Sequence, residues 1–109
     1  MKGYLGEFEE LVLLTIATLG KEAYGVAIKE ELEKRANRRL SIGALHATIS
    51  RLEDKGFLTS YMGGATAERS GRRKRFFELT REAVEALAAM KSLRDELWHS
   101  AQIKLGFSK

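Results

Sequence analysis

The sequence has no cysteine and no proline, only two histidines, and an aromatic share of 8%. Without cysteine there is no disulfide framework, no thiol nucleophile and no thiolate metal site. Without proline, helix ends must rest on glycine and polar caps. His46 and His99 are far apart and too few for the three or four ligands of a metal site. No glycine-rich phosphate loop occurs, so no enzyme, metal or cofactor is expected. No apolar run approaches the ~18 residues that cross a bilayer. Leu11–Ala17 is short, follows Glu7, Glu9 and Glu10 and lacks a basic leader, so a cytoplasmic location with no membrane partner is expected. There is no internal repeat or low-complexity linker.

What is present fits one globular domain of 109 residues, 44% hydrophobic and 31% charged. A domain of this size has a modest core, and association with a second copy is an ordinary remedy. The net charge of +4 becomes informative once it is located. Residues 1–40 hold seven basic and seven acidic side chains, residues 41–79 seven against four, and residues 80–109 five against four. Five of the seven cations in the middle segment fall between 69 and 75. A concentrated patch matters more for polyanion binding than a total.

Glu7 to Leu19 reads as a helix, with Phe8, Leu11, Val12, Leu14, Thr15 and Leu19 at helical spacing, acids in the first turn and Gly20 as a stop. A second helix spans about Tyr24–Ala36, with Val26, Ala27, Ile28 and Leu32 inward and a Glu30–Lys34 pair outward. Ser41 is an N-cap and Gly56 a C′ residue for a third helix, about Ile42–Lys55. Its apolar positions are Ile42, Leu45, Ile49 and Leu52; Ala44, Ala47, Thr48, Ser50, Arg51 and Asp54 form the opposite face. Phe57–Met62 and Arg73–Leu79 read as strands joined by a loose, glycine-containing connection. Thr80 caps a final helix, about Arg81–Leu105. The fold class is therefore mainly α with a small β-hairpin wing, a winged helix-turn-helix plus one long C-terminal helix. Residues 1–79 are read as a DNA-binding unit and residues 80–109 as a dimerisation helix.

Four stretches resemble the PadR family of bacterial transcriptional regulators, dimeric winged-helix proteins: LGEFEELVLLTIATLGKEAYGVAIKEEL (5–32), SIGALHATISRLEDKGFL (41–58), GRRKRFFELT (71–80) and the short tail. The tail resembles the smaller branch of the family, with a single dimerising helix. Two positions depart from the family pattern: His46 stands where a Tyr is usual, and Leu79-Thr80-Arg81-Glu82-Ala83 replaces an LTxxG corner. The resemblance implies a repressor, and a role for the protein in transcription.

In a helix-turn-helix the second helix enters the major groove. Ser41, Ala44, His46, Ala47 and Thr48 are the candidate base or backbone contacts there, small enough for close approach. Arg51, one turn beyond Ala47, is a candidate phosphate contact. In the hairpin, Arg72, Arg73 and Lys74 are assigned to phosphate or the minor groove, with Arg69 weaker; Arg75 shares a face with Phe77 and Leu79 and is partly packed. The competing reading is a solvated helix face beside a merely soluble charge run. On the tail, Leu87, Met90, Leu93, Leu97, Ala101 and Leu105 form a stripe with spacings of three and four. Together with Phe8, Leu11 and Val12 it is expected to make a two-fold homodimer interface. Trp98 has two readings, stacking on a small flat apolar effector or lying at the dimer edge, and the second is favoured. The alternative functions are a ligand-responsive sensor and a winged-helix protein-interaction module.

Overall fold

Helices, hairpin and tail follow one another in the order read from the sequence in the computed structural model of the chain, which describes residues 5–63 and 73–106. The first helix, α1 (Glu7–Leu19), begins where the Gly6 N–H donates to Glu9 Oε1 at 2.8 Å. It ends at Gly20, whose φ of +58° few other residues adopt, and a 3-10 turn (Gly20–Glu22) follows. The second helix, α2 (Gly25–Ala36), starts one residue later than expected, with Tyr24 as N-cap, and closes on Asn37 in the left-handed region. Glu33 then fixes the turn: its Oε2 accepts the Leu40 N–H at 2.8 Å and Lys29 Nζ at 3.1 Å. These donors, Leu40 foremost, hold its carboxyl below the usual carboxylate range.

The third helix, α3 (Ile42–Asp54), is capped by Ser41, whose Oγ accepts the Ala44 N–H at 2.9 Å. It leads into an antiparallel hairpin of β1 (Leu58–Gly63) and β2 (Lys74–Leu79), in register from Leu58↔Leu79 to Gly63↔Lys74. Thr80 ties the hairpin to the last helix, α4 (Arg81–Leu105): its hydroxyl donates to the Gly56 carbonyl at 2.7 Å and accepts the Ala83 N–H at 3.2 Å.

The core gathers Leu5, Val12, Leu13 and Ile16 with Ile28 and Leu32 of α2, Leu45, Ile49 and Leu52 of α3, and Phe57, Leu58, Phe77 and Ala83. Each large aliphatic side chain removed from water contributes about 1.5–3 kcal/mol, so this cluster sets the orientation of α3. Two inward assignments and one interface assignment fail. Val26 is 55% exposed because it sits two residues, about 200° of helix, from the buried Ile28. Ile42 is exposed because the first turn of α3 extends past the core. Val12 is wholly buried within its own chain and so is not an interface residue; Leu14 carries the exposed apolar surface of α1.

The Glu30–Lys34 pair is also replaced. Lys29 pairs with Glu33, and Glu31 takes both Lys34 and Arg35, at 3.9 and 2.6 Å. Behind the hairpin, β2 gains a second neighbour that the sequence does not announce: the Phe77 N–H donates to the Ala23 carbonyl at 2.9 Å and Tyr24 bridges to Phe76. Finally, α4 packs on the core only by its start. Ala83 is buried and Ala86 and Leu87 pack on the core, whereas residues 91–100 are all exposed. A 25-residue helix is about 37 Å long, which accounts for an elongated envelope of 58 × 29 × 22 Å. No helix among the described residues is long and apolar enough to cross a membrane.

Candidate nucleic-acid interface

The exposed face of α3 carries Ser41, Gly43, Ala44, His46, Ala47 and Ser50. All are short except His46, so the helix backbone lies near the surface there. The Ser41 hydroxyl accepts one bond to cap the helix and retains its own proton for donation. His46 leans towards the start of α2: a Cβ added at Gly25 would meet its Cε1 at 3.5 Å. Tyr24, Val26, His46, Ser50, Glu53 and Lys74 line a groove of about 580 Å³ running along this face to the hairpin.

Thr48 does not belong to that face. It is 2% exposed, one turn from Leu45 and Leu52 on the core side, and its Oγ1 accepts Arg51 Nη2 at 3.1 Å. The opposite-face assignment fails because 48 lies 300° from 45, only 60° short of a full revolution. Arg51 is therefore partly committed, to Thr48 and to Glu9 Oε2 at 3.5 Å, although its side chain remains over half exposed.

Glu9 is the anchor beneath α3. It is 6% exposed and takes Lys55 Nζ on both carboxylate oxygens at 2.9 Å, besides the Gly6 N–H and Arg51. Burial pushes its carboxyl up, but the donors from Gly6, Lys55 and Arg51 outweigh that and hold it below the usual range. The neighbouring Glu10 reaches the other way, to Arg94 of α4 at 2.7 Å.

At the hairpin, Lys74 Nζ lies 4.1 Å above the Tyr24 ring, and Tyr24 and Tyr61 both pack on Phe76 with centroids 5.6 Å apart. This aromatic layer supports the base of the wing against α2, a role for Tyr24 that sequence spacing missed because its partners lie fifty residues away. Arg73 is exposed and donates to the Met62 carbonyl at 3.3 Å. Arg75 is exposed rather than packed: it donates to Ser60 Oγ at 3.2 Å and lies 3.8 Å from Glu53. Arg69 and Arg72 fall outside the described residues.

On the tail, Leu93 and Leu97 are exposed, Met90 and Ala101 half-buried, and Phe8 and Leu11 half-buried against the core. The side chain of Leu105 lies outside the described residues. Trp98 is 53% exposed.

Residues 12–89 match the model of the PadR-like family of transcriptional regulators, from the middle of α1 through the hairpin into α4. The chain belongs to the PadR-like family. As a PadR-like protein it is a DNA-binding transcriptional regulator and not an enzyme. Solved structures share the fold. A PadR-like transcriptional regulator from Bacillus cereus is 17% identical with a TM-score of 0.72, over 91% of each chain. A PadR family regulator from Clostridium difficile is 22% identical with a TM-score of 0.69, over 91% of this chain and 99% of that one. One from Eggerthella lenta is 22% identical with a TM-score of 0.67, over 94% and 88%. No curated protein matches the chain significantly. The PadR-like match includes all of α2, α3 and the hairpin, the elements that carry the exposed face and its cations.

Proposed function

We propose that the protein is a cytoplasmic repressor that binds a palindromic operator as a homodimer. The observation that carries this reading is the exposed, small-residue face of α3, whose groove Lys74 and Arg75 also line, with Arg73 next to Lys74 at the loop end of the hairpin. Ser41, Ala44, His46 and Ala47 read base edges, Arg51 and the wing cations hold phosphates, and Arg69 and Arg72 extend the wing's contacts. Residues 1–79 carry recognition, and residues 80–109 bring two copies together through Leu93, Leu97 and neighbouring apolar positions.

A two-fold dimer would set the two α3 helices about one DNA turn apart, roughly 34–36 Å. With about six phosphate contacts, the log–log salt slope of binding is near −5. Gel shifts with the DNA upstream of the protein's own gene, across a salt series, test the proposal. A shifted band that resists competitor DNA supports it; equal competition by any duplex sinks the operator. Arg73→Ala with Lys74→Ala should weaken binding to all sequences alike. A second reading, a sensor for a flat apolar effector, is favoured only by the groove between α1 and α4, where Leu14, Val84, Leu87 and Ala88 form the apolar lining and Glu10, Lys91, Arg94 and Asp95 the polar rim.

A further inference from the structure

A second cationic site lies at the far end of α2 from the wing. Arg38 and Arg39 follow the left-handed Asn37, and both are exposed. Neither forms an ion pair within 4.0 Å among the described residues, whereas Lys29, Lys34 and Arg35 are all paired along α2. The nearby carboxylates are Glu33, already occupied by Lys29 and the Leu40 N–H though within electrostatic reach of Arg39, and Glu30, which is exposed and forms no ion pair among the described residues. Arg38 is drawn back over the Phe8 ring, 6.0 Å from its centroid. Arg39 is the cation left facing solvent, two residues before the Ser41 cap of α3.

Its position is set by a rigid ruler. Lys74 rests on Tyr24, the N-cap of α2, and Arg39 stands just past its C-cap. The 12-residue helix between them is about 18 Å long. A major groove about 12 Å wide has a phosphate strand along each side, and cations on long side chains at the two ends of an 18 Å helix span that width. We infer that Arg39 is a phosphate-binding residue for the DNA strand opposite the one held by the wing, so that each protomer grips both edges of the groove that α3 enters. The inference rests on the DNA-binding reading above.

Fluorescence anisotropy with a 40-base-pair duplex of arbitrary sequence isolates phosphate contacts, because non-specific affinity is almost wholly electrostatic. Wild type, Arg39→Ala, Arg39→Lys and the Arg73→Ala/Lys74→Ala double variant are titrated from 50 to 200 mM salt. Losing one phosphate contact per protomer lowers the salt slope of a dimer by about 1.8 and weakens its binding roughly 60-fold at 0.1 M salt, or by about 0.9 and roughly eightfold for a single protomer. Arg39→Ala should show that loss, Arg39→Lys should recover most of it, and both should melt at the wild-type temperature. Arg39→Ala with unchanged slope and affinity, beside a weakened wing variant, overturns the inference alone and leaves the patch to an acidic protein partner. Wild type failing to bind any duplex at 50 mM salt overturns the DNA-binding reading instead.

Discussion

Glu9→Ala is the substitution whose cost the structure specifies most fully. It removes a carboxylate that is 6% exposed and accepts from the Gly6 N–H, from Lys55 twice and from Arg51. The bond from the Gly6 N–H to the ionised carboxylate is charge-assisted, worth about 1.5–3 kcal/mol. The Lys55 contact is charge-assisted, but the Lys55 side chain is 33% exposed and Arg51 56%, so both cations can be rehydrated once the carboxylate is gone. That makes the full penalty for an orphaned buried charge, about 3–5 kcal/mol, too large here. A loss of about 2–3 kcal/mol follows, which in a domain of this size lowers Tm by roughly 10 °C. The assay is urea unfolding followed by circular dichroism, with Glu9→Gln as companion.

The pH dependence gives an independent check. Glu9 titrates lower in the folded chain than its ordinary value of 4.5. Its contribution is therefore fully present above pH 4.5 and is lost as pH falls through the depressed folded value. Wild type should lose stability in that acid window, and Glu9→Gln, which cannot ionise, should lose less. A Glu9→Ala cost under about 0.5 kcal/mol, or identical acid limbs for wild type and Glu9→Gln, would refute the assignment of Glu9 as the anchor of α3.

Thr48→Val keeps the buried shape and removes only the hydroxyl that holds Arg51, so it should cost about 1 kcal/mol and leave base preference unchanged; a changed preference in competition gel shifts would return Thr48 to the reading face. Ala47→Glu, on the exposed face of α3, should abolish operator binding while the melting temperature moves by under about 2 °C, and retained binding would remove that face from the interface. Leu93→Asp with Leu97→Asp should shift sedimentation from dimer to monomer at micromolar concentration without unfolding the chain, since both side chains are about half exposed or more.

Elements with a strong local signal were legible in the sequence. Ser41, Thr80, Gly56 and the spacing of Leu45, Ile49 and Leu52 located α3 and the start of α4 to within a residue, because caps and helical periodicity act over a few neighbouring positions. Failures cluster where a single residue's facing depends on the exact helical phase, as at Thr48 and Val26, or on where the core happens to end, as at Ile42. Val12 was misplaced for a different reason: an apolar stripe on α1 does not say which part faces its own domain. Contacts between distant segments, Glu9 with Lys55 and Tyr24 with Lys74 and Phe76, left no trace in spacing. Summing charge over residues 1–40 likewise hid Arg38 and Arg39, since the acids of the first turn and of α2 cancelled them.

Consecutive acids on α1 are fastened to different elements, Glu9 to Lys55 at the foot of α3 and Glu10 to Arg94 midway along α4. The two carboxylates leave the helix about 100° apart, so neighbouring residues of α1 reach two separate elements. Through α1 the tail helix and the helix with the exposed small-residue face are thereby tied to one common support within the protomer.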